Sequence, residues 1–566
     1  MEAFPTSNED YVPTLEEDPA LGLSHRQKME ILLAVMLGIF LAALDQTIVG
    51  PALPTIATEL AGNDLYVWVV TIFLLTSTIS IPFWGKLSDI YGRKPAFMAG
   101  IVIFLIGSAL SGLSQNMGML IVFRGIQGIG AGALFPVALA VIGDMFTPQE
   151  RGKYQGLFGA VFGIAFIIGP LVGGFLTEQV SWHWIFYVNI PIGIFSLIVI
   201  QRLLPTIKTP RATRNFDILG GAIFTAAITF LLVGLTNKQF GEWADLTVGG
   251  FIAISVVGIV LFILAEARAK EPIIPLGLFR NRTYSSSMVS SFFASFAFFG
   301  AIIFLPRWFQ FVHGFSPTNS GLAALPLMAG LIFGSIASGL IVSRTGRYKW
   351  LLVGALVLMG VATALMTNLT ATTPLPVVWF WMFLAGLGVG PTFAVFTIVV
   401  QNAVPFHQLG VATSNLTFFR QIGGAIALAV VGTIFGSTFL EQVAPQMSAA
   451  GVPPQAQGAL GQAIGSGQLD FNNLTGVGDL GVAILAAVDA QTRAILEPFI
   501  NQIVAGMHEA FSLAVAQTFW IGVGAAIIAV IAAAMMQEHA LRTSDAPVRA
   551  ATAPTDVAKR PAVTTE

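Results

Sequence analysis

The 566-residue chain has no cysteine, which excludes disulfides, thiol chemistry and cysteine-ligated metals. It is also poor in charge: Asp, Glu, Lys and Arg make up 10% of residues, against about 25% in an ordinary soluble domain. Its six histidines are scattered. There is no zinc-ligand spacing, no nucleophile elbow and no phosphate loop, so the sequence offers no catalytic or metal-binding residue and argues against an enzyme. A formal net charge of −2 implies no polyanionic partner such as nucleic acid. Six acids (Glu2, Glu9, Asp10, Glu16, Glu17 and Asp18) crowd the first eighteen residues, so the start lacks the basic n-region of a secretory signal and reads as a soluble tail.

What is present is apolar. Hydrophobic residues make up 55% of the chain. Runs near twenty residues are long enough to cross about 30 Å of hydrocarbon as helices. Fourteen such spans are expected, at about 29–50, 66–87, 95–114, 117–142, 154–178, 183–203, 217–236, 246–266, 284–308, 318–343, 350–369, 375–402, 411–438 and 512–536. The fold class is therefore an all-α polytopic membrane protein. With residue 1 in the cytoplasm, 22 of 27 basic residues fall in inside segments and only Lys238 and Arg493 in outside ones, so both termini are expected to be cytoplasmic.

An internal repeat refines the architecture. Gly85 and Gly92, with Arg93, match Gly339 and Gly346, with Arg347, at an offset of 254; Gly128, Gly130 and Gly132 match Gly386, Gly388 and Gly390 at an offset of 258. Two near-equal offsets imply two homologous six-helix halves in parallel orientation, with spans seven and eight inserted as a linking hairpin. The expected divisions are a tail at 1–28, a six-helix bundle at 29–203, a linker with two spans at 204–283, a second bundle at 284–537 and a tail at 538–566. The second bundle carries an insert at 440–510, expected outside, with helical amphipathic spacing from Ala483 onward. It could cap the outer opening, rest on the membrane or meet an envelope partner.

Asp45 is the only formal charge between Ile31 and Gly50, and an intramembrane acid is a functional candidate by default. It lies about 8 Å below the expected outer end of span one, and Arg124 about 10 Å below that of span four, so the two charges share a depth. A carboxylate beside a guanidinium favours ionisation while burial opposes it, which suits an acid that loads and releases a proton as its exposure changes. A fixed ion pair tying two helices is the alternative. In Gly85 to Pro95, GKLSDIYGRKP, the glycines with Asp89 and Arg93 suggest a tight turn whose acid pairs with a base or with a helix N-terminus. Span five stacks Gly159, Gly163, Gly169, Gly173 and Gly174 around Pro170, a pattern for close helix packing with a kink.

These stretches resemble the fourteen-span drug:proton antiporters of the major facilitator superfamily, over roughly residues 29–440 and 512–536. The residues that carry the resemblance are Leu44 to Pro54, LDQTIVGPALP; the GKLSDIYGRKP segment; Arg124 to Gly128, RGIQG; Gly163 to Gly174, GIAFIIGPLVGG; and Trp182 to Pro191, WHWIFYVNIP. The resemblance implies the major facilitator fold and an alternating-access exporter of hydrophobic or amphiphilic compounds, driven by the proton gradient with no cofactor. Export of lipids or of an endogenous metabolite by the same cycle is the alternative. By the same resemblance Asp45 carries the proton and Arg124 tunes it, while Gly85, Asp89, Gly92 and Arg93 latch a cytoplasmic gate. Gly163, Gly169, Pro170, Gly173 and Gly174 shape the surface where the halves meet. The expected setting is a monomer in the cytoplasmic (inner) membrane.

Cargo is harder to read. Spans nine to fourteen hold no mid-depth acid, whereas Arg420 sits about 14 Å into span thirteen and Arg307 near the outer end of span nine, where it is expected to snorkel. Anionic, zwitterionic and neutral amphiphiles, lipids included, stay open as cargo. Gln127, Phe296, Trp381 and Arg420 are candidate cavity residues, with helix or lipid contact as the alternative for the aromatics.

Overall fold

The structure is a computed structural model that describes residues 24–60, 62, 65–204, 216–238, 241–465, 480–539 and 541. The tail acids, Lys208, Arg211, Arg214, the middle of the insert and the basic residues of the C-terminal tail lie outside the described residues. Among the described residues fourteen helices are long and apolar enough to cross a membrane: His25–Glu59, Val67–Tyr91, Arg93–Gly112, Met117–Met145, Gln149–Gln179, Trp184–Leu203, Ile218–Asn237, Leu246–Glu266, Arg282–His313, Thr318–Thr345, Lys349–Met366, Leu375–Asn402, Leu409–Ala449 and Ala490–Ala534. They are called spans one to fourteen in that order. No strand occurs among the described residues.

Local chemistry sets several helix starts. Ser24 and Gln27 form a reciprocal capping box ahead of span one, and Thr147 and Glu150 form another ahead of span five, where Pro148 occupies the first turn. Gly92, at φ 98°, separates spans two and three, and its repeat counterpart Gly346, at φ 67°, separates spans ten and eleven. With fourteen such spans among the described residues, His25 and Ala534 fall on one side. That side, carrying Arg93, Arg151, Arg282, Arg344 and Lys349, is termed the basic side.

Spans one to six form one bundle and spans nine to fourteen the other. The internal repeat reappears as repeated packing. A side chain at Gly128 or Gly132 would strike span two and one at Gly130 span three, just as Gly386 and Gly390 abut span ten and Gly388 abuts span eleven. Two seams join the bundles. Span five lies along span ten, where a Cβ on Gly152 would sit 2.4 Å from the Gly339 carbonyl oxygen. Span two lies along span thirteen, and span seven covers that second seam with Phe224 against Phe418, ring centroids 5.3 Å apart.

Three expectations are corrected. The GKLSDIYGRKP segment is not a loop: Gly85 to Tyr91 finish the helix of span two and Arg93 begins span three, so the turn is the single residue Gly92. Span one does not end at residue 50 but continues through Pro51 and Pro54 to Glu59, because a helix embedded among neighbours retains interior prolines. The insert is not a separate segment from 440. Span thirteen runs on to Ala449 and the last helix starts at Ile500, so both project beyond about 30 Å of hydrocarbon. Short helices at Pro454–Gly465 and Leu480–Ala487 pack on these projections, and Ala490–Leu496, the short first piece of span fourteen, packs on Pro454–Gly465, with Leu460, Ile484, Leu496 and Ile503 in the same apolar core as the second bundle.

Candidate functional site

Asp45 is wholly buried, and three donors from two other helices converge on it. Arg124 of span four donates from Nη1 to Asp45 Oδ2 at 2.6 Å. Gln127, one turn further along span four, donates to Oδ1 at 2.8 Å, and Asn189 of span six donates to the same oxygen at 3.0 Å. The guanidinium also donates to Gln127 Oε1 at 2.9 Å and lies 4.1 Å from the centroid of Phe73, on span two. Asn189 donates to Ser108 Oγ of span three at 3.1 Å, and Ser108 donates to the Phe186 carbonyl at 2.8 Å. One acid therefore ties spans one, three, four and six. Both carboxylate oxygens are engaged, Oδ2 by the cationic donor and Oδ1 by two neutral ones, so loss of the acid would leave a buried guanidinium and two amides unanswered and loosen these helices together.

The chain forms this cluster because Asp45 has small or apolar neighbours on its own helix and Arg124 and Gln127 are three apart, hence on one face. Asp45 and Arg124 meet as expected, although span one continues to Glu59, so their depths do not follow from equal distances to the helix ends. Gln127 is corrected from a cavity wall to a member of the Asp45 cluster, since its amide is satisfied there and has no exposure. Asn189 and Ser108 were missed. The only signal for Asn189 was an amide in the apolar opening of span six, and for Ser108 there was none.

The second cluster lies toward the basic side. Arg93 pairs with Asp89 one turn earlier and, from Nε, with Asp144 of span four at 2.8 Å. Asp89 turns both oxygens to the start of span thirteen in the opposite bundle, accepting from the backbone N–H of Gly410 at 3.1 Å and of Val411 at 2.8 Å. These N–H groups belong to a helix's first turn, where a carboxylate meets unsatisfied donors and the positive end of the dipole. A Cβ on Gly85 would stand 2.0 Å from Ser414 Oγ and 2.9 Å from the Gly410 carbonyl oxygen, so only glycine admits this approach. Gln401 of span twelve donates to the Leu139 carbonyl at 3.0 Å and accepts from Gln155 at 3.1 Å, adding contacts between the bundles. The acid thus pairs with a base and a helix N-terminus at once. Asp144, at the end of span four, was missed. In the second repeat Ser343, the counterpart of Asp89, donates only within its own helix.

The glycines of span five divide between two partners. A Cβ on Gly163 would meet Ile332 of span ten, whereas one on Gly169 would lie 1.9 Å from Thr47 Oγ1 and one on Gly173 would lie 2.3 Å from the Ile48 carbonyl oxygen. Gly169 and Gly173 therefore abut span one of their own bundle, which corrects the expectation that all five line the surface between the halves. Gly174 approaches Thr318 at 3.8 Å, and Pro170 lies near Gly321, both at the start of span ten. Thr47 also donates to the Ala165 carbonyl at 3.0 Å, so the tight face of span five rests two residues from Asp45.

Of the aromatic candidates, Phe296 packs against Phe292 and Phe293 of its own helix, and Trp381 is partly buried against the apolar core of the second bundle. The ring contacts that cross between bundles fall on Phe162 and Phe393, 5.9 Å apart, which sequence reasoning did not single out. Arg420 lies 4.3 Å from the centroid of Phe393 and donates to the Thr392 carbonyl at 3.0 Å. Arg307 is exposed, as a snorkelling side chain would be.

A sequence profile described as Major Facilitator Superfamily matches residues 35–428. The chain is 38% identical over 448 residues to the multidrug transporter protein MdtP of Bacillus subtilis (strain 168), covering 78% of this chain and 82% of that protein. It is 34% identical over 443 residues to multidrug resistance protein 3 of the same organism, covering 78% and 86%. Among solved structures it is similar to the human organic anion transporter MFSD10, with a TM-score of 0.56 at 16% identity over 72% of this chain and 94% of that one. Identity that low speaks for the fold alone.

Proposed function

Because the chain belongs to the major facilitator superfamily, and so is a multi-pass membrane transporter rather than an enzyme, we propose that it is a proton-coupled antiporter exporting hydrophobic or amphiphilic compounds. The basic side faces the cytoplasm in this reading, as the distribution of Arg and Lys favours. The names of the similar multidrug transporters support the cargo class. The observation that carries proton coupling is the buried Asp45, held by Arg124, Gln127 and Asn189.

The cycle follows from the two clusters. With Asp45 ionised and paired, spans one, three, four and six are drawn together. A proton arriving on the carboxylate from the outer side cancels the charge that Arg124 answers, weakens the ties to Gln127 and Asn189, and leaves the first bundle free to rock against the second. The Asp89, Arg93 and Asp144 latch then releases Gly410 and Val411, opening the cytoplasmic seam. Cargo enters between the bundles as the proton leaves inward, and re-pairing restores the starting arrangement. The test is reconstitution in vesicles with an imposed pH gradient. The parent should accumulate a lipophilic dye against its concentration gradient and stop when the gradient is collapsed. Equal uphill accumulation by Asp45→Asn would refute coupling through this acid.

A further inference from the structure

We propose that Arg420 anchors an anionic group of the cargo, so that the transported compound is an amphiphilic organic anion whose carboxylate or equivalent acid pairs with this guanidinium. The inference rests on the exporter reading and specifies its substrate. Arg420 is the twelfth residue of the helix Leu409–Ala449, about 16 Å from its start, at membrane depth. Two residues earlier Phe418 faces span seven on the lipid side of the seam, and two residues correspond to about 200° around a helix, which turns Arg420 to the interior between the bundles. Its ring partner Phe393 in turn touches Phe162 of the first bundle and Phe298 of the second. The side chain is only half-buried there, within reach of a guest.

Arg124 is answered by Asp45 and Arg93 by Asp89 and Asp144, while Arg151, at the basic-side end of span five, donates to the Phe146 and Gly143 carbonyls. Arg420 has one hydrogen bond, to the Thr392 carbonyl, and one aromatic face; no carboxylate lies at ion-pair distance among the described residues. That leaves donors of a rigid planar fork unused in a low-dielectric surround, the arrangement that matches a carboxylate. A helix tie to Thr392 alone would require neither the charge nor the exposure. The converse also holds. The described acids of spans nine to fourteen are Glu441, Glu497 and Glu509, all toward the side opposite the basic one, and Asp45 is sealed from the interior by its own donors. A lipophilic cation would find no counter-charge beside Phe162 and Phe393, whereas a flat anion finds a guanidinium backed by rings.

The test uses purified full-length protein in neutral detergent and three fluorescent probes sharing one ring system: 1-pyrenebutanoate, 1-pyrenebutanol and a pyrenylbutyl trimethylammonium salt. Binding in detergent requires no proton gradient, so this result stands apart from the coupling test. The parent should bind the carboxylate about tenfold tighter than the alcohol, with the ammonium weakest, a margin expected of one charge-assisted hydrogen-bonded pair. Arg420→Gln should lose that margin while binding the alcohol as the parent does, and Arg420→Lys should restore part of it. Should Arg420→Gln fail to fold, loss of bidentate selectivity in Arg420→Lys decides the same point. A parent that binds the alcohol or ammonium probe as well as the carboxylate, or an Arg420→Gln that keeps carboxylate affinity, overturns the proposal.

Discussion

At the residue scale, the Asp45 cluster makes charge and stability separable. Asp45→Asn keeps the shape of the side chain but leaves the Arg124 guanidinium buried without its counter-ion, a change that costs about 3–5 kcal/mol where one partner of a buried pair is removed. Replacing both, as Asp45→Asn with Arg124→Gln, should recover most of that loss in a thermal unfolding assay and still give no uphill transport. If the double variant remains as unstable as the single one, the pair is not what holds these helices. Asp45 and Arg124 were legible because charges are rare in apolar runs, and an acid and a base at one depth have few other partners. Asn189 was not legible, since an amide carries no formal charge and lies 144 positions away along the chain. Phe162 and Phe393 were hidden for a related reason: with 45 phenylalanines, composition cannot tell a ring between bundles from one facing lipid.

At the element scale, two helix contacts do most of the positioning. Span two meets the first turn of span thirteen through Asp89, and Asp89→Asn keeps an acceptor there but removes the charge that suits a helix N-terminus. The absence of cysteine makes a single reporter simple. Ser414→Cys, fully buried beside Gly85, should react slowly with a membrane-impermeant thiol reagent applied from the basic side, and about tenfold faster when Asp89→Asn is added. Unchanged labelling would mean that Asp89 does not latch the seam. Span five meets span one at Gly169, where even a methyl group has no room beside Thr47. Gly169→Val should lower stability by about 1–3 kcal/mol, as overpacking does, and reduce transport with it. Native stability and transport in this variant would show that span one yields more readily than the packing indicates. The glycine spacing disclosed that helices pack closely but not which ones. Spacing along one helix fixes a face, and only the neighbours decide whether that face meets its own bundle or the other.

At the scale of the whole molecule, the repeat in the sequence foretold the two bundles, and the matched contacts of Gly128, Gly130 and Gly132 with those of Gly386, Gly388 and Gly390 carry it down to single residues. The insert was less legible. Its Pro, Gly and Gln content reads as loop, yet the projecting ends of spans thirteen and fourteen give its short helices an apolar surface to cover, and close contact of Gly506 with Met447 ties the two projections. The described part of the insert therefore travels with the second bundle. Replacing residues 452–498 with a short Gly/Ser linker should lower the unfolding temperature while proton-driven transport persists in the variant that survives. Loss of transport at unchanged stability would instead assign the insert a part in the cargo path.

The exchange of a proton for cargo at one buried acid is the claim on which the cycle depends. It can be read directly by adding a transported compound to purified protein in weakly buffered detergent and following pH with an indicator dye. The parent should release protons in step with cargo binding, and Asp45→Asn, while still binding the compound, should release none. Equal release from both proteins would contradict the assignment of the exchanged proton to Asp45.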